Sequence, residues 1–258
     1  MLSYGGKEVL FSSVLQSIPI YVLSVITPPI CVIKELHKIF AKFFWSNKES
    51  GRSKHWAEWI KVCLPKQKRG LGFRSLFKVS QALYAKLWWK FRTQNNLWSN
   101  FFWNKYCKKH IPSFVQWKGG SQIWKHMLEN RDVIEQHLWW EPKGGTSSIW
   151  YDNWTNLGPL HLHQLDSPTC HPTRDIDDLF NEDGWDFDAL RDAVPEYVVD
   201  HIRHNMRFLQ LGDLADKPWW TKSSTGYFSV KSVWELLRKK ENINEDLKSL
   251  RVKGLPFK

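Results

Sequence analysis

Cysteine is scarce in this chain, and none of the four residues, Cys31, Cys63, Cys107 and Cys170, forms a C-x-x-C pair. That spacing argues against a disulfide framework and against a closed zinc site, and it fits a reducing compartment. Long hydrophobic runs are also missing. The most apolar stretch, Val9 to Ile26, is interrupted by Ser12, Ser13, Gln16, Ser17 and Pro19, too often to span a bilayer. Glu8 removes the basic flank of a signal peptide, so the expected location is intracellular (nucleus or cytoplasm), not secreted, with no membrane partner. The sequon Asn153-Trp154-Thr155 is then accidental. There is no P-loop, no dinucleotide fingerprint and no G-x-S-x-G elbow, and "RGLGFR" has too few glycines to cradle a dinucleotide.

Negative charge is scarce in the first half. Residues 1–150 carry 23 Lys+Arg against 8 Asp+Glu, a balance of +15, whereas residues 151–258 carry 14 against 18, a balance of −4. A lopsided basic surface points to a polyanionic partner, and the phosphate backbone of RNA or DNA fits better than an acidic small molecule. Tryptophan, by contrast, is abundant: 17 residues, with doublets at Trp88-Trp89, Trp139-Trp140 and Trp219-Trp220. Rings of that area belong mostly in a core or as half-buried wedges.

Chemistry-bearing clusters are thin. Two-metal polymerase chemistry needs two or three converging carboxylates, and Tyr151-Asp152-Asn153-Trp154 offers one. Asp175, Asp177 and Asp178 are close in sequence, yet no apolar strand presents them. The pairs His161/His163 and His201/His204, and Cys170 beside His171, each lack a matching second pair at ligand spacing. No metal, no cofactor and no catalytic residue is expected.

The apolar pattern predicts an α+β fold, mainly helical in its N-terminal half, with short strands, hairpins and helices in its C-terminal half. Helices are expected over 7–25 (stripe Leu10, Val14, Ile18, interrupted at Pro19), Ile30 to Trp45 (stripe Ile33, Leu36, Phe40, Phe43), Phe77 to Phe91 (stripe Leu83, Leu87, Phe91), Leu97 to Cys107 and Ser121 to Gln136. Lys34, Lys38 and Lys42 recur every four residues on another face of the second. Residues 46–55 read as a mobile loop. Lys66, Lys68 and Arg69, bracketed by Pro65 and Gly70, read as a basic turn, with Arg74 just beyond. Extended segments are expected at 146–151, and a hairpin of Trp219–Thr221 with Tyr227–Ser229 leading into a helix from Val230 to Lys239. An N-cap at Asp186 or Asp188 is expected for a helix through Ala189, and 240–258 reads as a frayed tail.

Five phrases in order, "LSYGGKEVLFSSVLQSIPIYVLSVITPP", "CLPKQKRGLGFRSL", "ALYAKLWWKF", "SIWYDNW" followed by "GPL", and "GYFSVKSVWELL", resemble the region downstream of the polymerase palm in plant LINE-type (non-LTR) retrotransposon reverse transcriptases. The resemblance covers nearly the whole chain. It implies a thumb-like basic helical region over 1–113 and a connection region over 114–258, with the catalytic palm before it and a zinc-binding module after it. It also implies that Trp150, Asp152 and Trp154 form a structural corner, Asp152 accepting backbone or indole N–H bonds, rather than a palm turn.

The expectation is therefore a noncatalytic fragment, not an enzyme, that grips RNA or DNA backbone without sequence choice through Lys34, Lys38, Lys42, Lys66, Lys68, Arg69 and Arg74, with an intact retroelement polymerase as a further partner. Two alternatives stand beside it: a decayed reading frame without a selected role, and a carbohydrate-binding module stacking sugars on Trp150, Tyr151 and Trp154.

Overall fold

A computed structural model describes residues 2–46, 55–68, 70–108, 110–163, 175–181, 184–206 and 215–239. Arg69, Cys170, His171, the 240–258 tail and most of the 46–55 loop lie outside the described residues. In chain order the elements are α1 (Tyr4–Leu10), α2 (Ile18–Leu23), α3 (Ile30–Trp45), α4 (Trp59–Val62), α5 (Leu76–Thr93), α6 (Leu97–Phe102), α7 (Gln122–Glu129), α8 (Arg131–Glu135), β1 (Leu138–Glu141), β2 (Phe180–Asn181), β3 (Gly184–Trp185), α9 (Phe187–Ala193), α10 (Glu196–Asn205), β4 (Lys217–Trp220) and α11 (Val230–Lys239). The fold is α+β, with helices dominating and, among the described residues, two small antiparallel sheets. The chain divides into two compact units, one of residues 1–84, 121–126 and 233–258, the other of 85–120 and 127–232.

The first unit is held by aromatic packing. Phe11 lies at its centre, with ring centroids 5.0 Å from Phe40, 5.0 Å from Trp59 and 4.4 Å from Phe73. Phe44 closes the cluster edge-on against Phe73 at 5.4 Å. Rings of this size make the largest area contribution to a core, and edge-to-face contacts add to it.

Phe11, rather than the expected Leu10-Val14-Ile18 stripe, faces that core. Ile18 is 62% exposed and Val14 45%. The reason lies in Lys7, one turn earlier: its ammonium donates to the Phe44 and Ser46 carbonyls at the end of α3, where unsatisfied carbonyls attract a cation, and this turns the Lys7/Phe11 side inward. The single helix expected over 7–25 is instead α1, a π-helical turn over Phe11–Leu15, and α2, with Pro19 in the first turn of α2, where its missing N–H costs nothing. Ser3 caps α1, its Oγ accepting from Gly6 N at 3.1 Å.

In α3 the buried stripe is Ile33, Phe40, Ala41, Phe44 and Trp45, with Leu36 and Phe43 half-buried. Between α4 and α5 the chain folds back on itself. Leu71 N donates to Val62 O and Gly72 N to Leu64 O, both at 2.9 Å. A Cβ at Gly70 would lie 2.0 Å from the Leu64 carbonyl oxygen, so only glycine fits this close approach. Lys66–Lys68 is a short 3₁₀ turn rather than a link between extended pieces.

In the second unit β1 pairs antiparallel with β4, Leu138 opposite Trp220 and Trp139 opposite Trp219. The expected hairpin of 219–221 with 227–229 is therefore corrected. β4 pairs with β1 on one edge and on the other closes only a turn, Trp220 N donating to Gly226 O at 2.8 Å, while the 227–229 segment forms no strand and serves packing: Phe228 stacks on Trp89 at 4.9 Å and meets Trp220 at 5.2 Å. The 146–151 segment is a turn rather than a strand, with Asp152 N donating to Ser148 O at 3.2 Å and a lone bridge from Ser148 to Asp175. A second core of Ile149, Trp150, Trp154, Leu160, Ile176, Leu179, Leu190, Val198, Val199 and Ile202 lies under α9 and α10. Asp186 caps α9, accepting from Asp188 N at 3.0 Å and Ala189 N at 2.9 Å. The helix expected over 121–136 breaks at Asn130 into α7 and α8. The one expected over 97–107 is α6 followed by a π-helical turn, Trp103–Cys107.

Candidate nucleic-acid interface

The cations of the first unit are built on α3. A step of four residues in an α-helix turns the side chain by about 40° and advances it by about 6 Å, so Lys34, Lys38 and Lys42 share one face. All three are exposed. Lys38 donates to Glu35 at 2.8 Å, and that hydrogen bond and charge raise its pKa above the ordinary lysine value. Such an exposed pair is weak and leaves the ammonium open to a stronger anion. Lys66 is exposed and lies 3.5 Å from Glu8. Lys68 is half-buried, and Arg74 is exposed with its guanidinium 5.9 Å from the Trp234 ring. The structure thus places Lys34, Lys38, Lys42, Lys66, Lys68 and Arg74 in the same unit.

The "SIWYDNW" corner belongs to the second unit and is a buried polar junction. Asp152 Oδ2 accepts from Ser148 N at 2.9 Å, and its Oδ1 takes the Arg92 guanidinium. Arg92 Nε also donates to Glu135 at 2.8 Å, and Glu135 accepts from the Trp88 indole N–H at 2.8 Å. Burial alone would lower the pKa of Arg92, but Glu135 and Asp152 together hold it above its ordinary range. For Glu135, burial is the largest influence and pushes its pKa up. Trp154 Nε1 donates to Ile149 O at 2.8 Å. Trp150 and Trp154 are buried, so neither offers a face to a sugar ring, and the carbohydrate-stacking reading is corrected on that ground.

Asp216, which drew no attention in the sequence, organises the neighbouring glycine turn. Its Oδ1 accepts from the N–H groups of Lys143, Gly144 and Gly145 at 2.7, 2.9 and 2.9 Å, and its Oδ2 from Ser147 N at 2.7 Å. Burial raises its pKa, but Ser147 and the Lys143 and Gly144 N–H groups outweigh that and hold the carboxyl below its ordinary value. The "GG" ahead of "TSS" was the available signal: consecutive N–H groups in such a turn form an anion-binding nest.

Among the described residues, no group of three or more His, Cys, Asp or Glu side chains is gathered as a metal site. His161 turns its Nδ1 to Trp150 O at 3.2 Å, and His201 its Nε2 to Thr155 O at 3.0 Å, so these two rings make separate structural contacts. Nor, among the described residues, is any helix long and apolar enough to cross a membrane.

The chain is similar to a plant protein that bears a ribonuclease H name. That protein, from Arabidopsis thaliana, is 31% identical over 249 residues, which are 92% of this chain and 39% of the relative's own length. No family model matches the chain, and no solved structure matches it. The similarity corrects the expectation that the chain is not an enzyme but a noncatalytic fragment of an RNA-directed DNA polymerase: the relative's name is that of a nuclease, not of a reverse transcriptase palm.

Proposed function

We propose that this chain is the nucleic-acid-gripping region of a retroelement-related protein of ribonuclease H type. The observation that carries the reading is the α3 face, on which Lys34, Lys38 and Lys42 stand exposed while the opposite face is sunk into the aromatic core. A cationic row on a rigid helix neutralises successive phosphates, and Lys66, Lys68 and Arg74 of the same unit, with Arg69 next to Lys68 in the sequence, add positive charge. Contacts of this kind position a backbone without reading bases, so RNA, DNA and their hybrid are all partners. The five-phrase resemblance supports a finer placement, downstream of the palm in a LINE-type reverse transcriptase, with 1–113 thumb-like and 114–258 a connection region.

The relative's name supports a nuclease role for the whole protein, in which this region would hold an RNA–DNA hybrid, the substrate class that name denotes. Binding of the purified chain to labelled RNA–DNA hybrid, beside the variant with Lys34, Lys38 and Lys42 all changed to Gln, tests the reading. Weaker binding by the variant is expected, and equal binding would reject the α3 face as the grip. The same samples, incubated with Mg²⁺ and resolved on a gel, report whether the hybrid is cut.

A further inference from the structure

Of the 17 tryptophans, Trp56, Trp103 and Trp117 are exposed. In the second unit Phe101, Trp103, Phe114 and Trp117 are exposed rings on and after α6, with Tyr197 and Tyr227 exposed elsewhere. Leu97 is 88% exposed, Phe101 55% and Trp103 39%. Leu97, Phe101 and Lys105 follow one another at four-residue steps, and Lys105 Nζ lies 5.3 Å from the centre of the Phe101 ring and 5.3 Å from that of Tyr106.

Behind this strip runs a ladder of packed rings. Trp98 lies 4.6 Å from Phe102, Phe102 lies 5.5 Å from Tyr106, and Phe101 meets Phe102 edge-on at 5.8 Å. The platform is therefore backed by core, and its aromatic faces are pre-positioned. A Cβ at Gly120 would lie 2.6 Å from Tyr106, which brings the Lys118–Gly120 turn against the same ring. Lys108 and Lys118 are exposed.

Charge decides which ligand this surface suits. Residues 85–120, the segment of the second unit that carries the strip, hold no Asp or Glu and seven Lys or Arg. An apolar strip meant for another protein surface has no need of such one-sided charge. Rings interleaved with cations, and no carboxylate among them, match a chain of stacked bases joined by phosphates.

We propose that the α6 strip, Phe101 with Lys105 and the cations around them, is a stacking site for single-stranded RNA or DNA. An unpaired base lies on the Phe101 face while Lys105 meets the adjoining phosphate. A duplex, whose bases are already stacked on one another, has no ring to offer Phe101. The inference rests on the reading of the chain as a nucleic-acid binder, but on residues of the other unit and on a different chemistry.

The test uses the full chain, with fluorescence anisotropy on labelled oligo(U), oligo(dT) and a duplex of equal length. Phe101→Leu keeps the apolar contact with Phe102 and removes the π face. It is expected to weaken single-strand binding about tenfold and to leave duplex binding unchanged, while Phe101→Tyr retains both. Lys105→Gln, a surface change, is expected to weaken single-strand binding in the same direction. Single-strand affinity indifferent to Phe101→Leu and to Lys105→Gln overturns the proposal, as does an equal loss on single strand and duplex. The α3 glutamine variant, run alongside, separates the two readings: loss of duplex binding there with an intact Phe101 effect rejects neither, and loss of the Phe101 effect alone rejects only this one.

Discussion

Arg92 donates from Nε to Glu135 at 2.8 Å, and both side chains are almost fully buried. In a buried pair of this kind desolvation offsets much of the Coulombic gain, yet removing one member strands the other. Asp152 shares the same guanidinium, so Arg92 serves two carboxylates. Arg92→Ala is expected to destabilise the chain by about 3–5 kcal/mol, read from urea denaturation of wild type and variant. A change below about 1 kcal/mol would show that the carboxylates find other partners or take up protons at little cost.

Asp216 gives a second, pH-dependent test. Its folded pKa is depressed, so the unfolded chain binds the extra proton. The stabilisation is fully present above the unfolded aspartate value of about 3.9 and is lost as pH falls through the lower folded value. Asp216→Asn cannot accept all four N–H bonds and is expected to cost about 2 kcal/mol or more at neutral pH. The difference between wild type and Asp216→Asn should shrink as the pH drops below about 4, followed by thermal melts; a constant difference would contradict the account.

His37 accepts the Leu76 N–H at the start of α5 through Nε2 at 3.2 Å, and burial lowers its pKa. Only the neutral ring can accept. Because the folded pKa lies below the unfolded value of about 6.5, this contribution is complete above that value and is lost as pH falls from there through the folded pKa. His161 is shifted in the same direction, burial again being the main cause. Denaturation midpoints are expected to fall on acidification from about pH 6.5, and His37→Gln should flatten part of that dependence. A midpoint insensitive to pH in this range would show that neither ring is held neutral.

Thiol chemistry reports on burial directly. Cys31 is exposed, whereas Cys107 is fully buried, and burial, opposed only by the charge of Arg92, pushes its thiol up to about 12. Alkylation at mildly alkaline pH, followed by peptide mass mapping, should label Cys31 in the native chain and Cys107 only after denaturation. Early labelling of Cys107 would mean that the Arg92 region opens readily.

Helical periodicity located α3 and α5 to within a residue or two, because each has an apolar face long enough to outweigh local noise. Where packing reached beyond the helix, the sequence misled. A lysine, Lys7, sits inside because it closes the end of α3, and nothing local to α1 announces that. The Trp219–Ser229 segment has strand-like composition at both ends, but whether a strand finds its partner next door or some 80 residues away is a matter of tertiary packing. Arg92 was invisible for the same reason, and the Gly144-Gly145 turn, which signals an anion, did not name Asp216 as its partner: in both cases the partners lie far along the chain. The α3 lysine row could be read from spacing alone, since exposure of a four-residue repeat needs no distant contact.

The central claim, that the chain holds nucleic acid by its phosphates, is tested most directly by the salt dependence of duplex binding. If about six phosphates are neutralised, log Kobs plotted against log salt should slope near −5, and changing Lys34, Lys38 and Lys42 together to Gln should reduce that slope by about 3. A slope near zero, or one that the three substitutions leave unchanged, would contradict it.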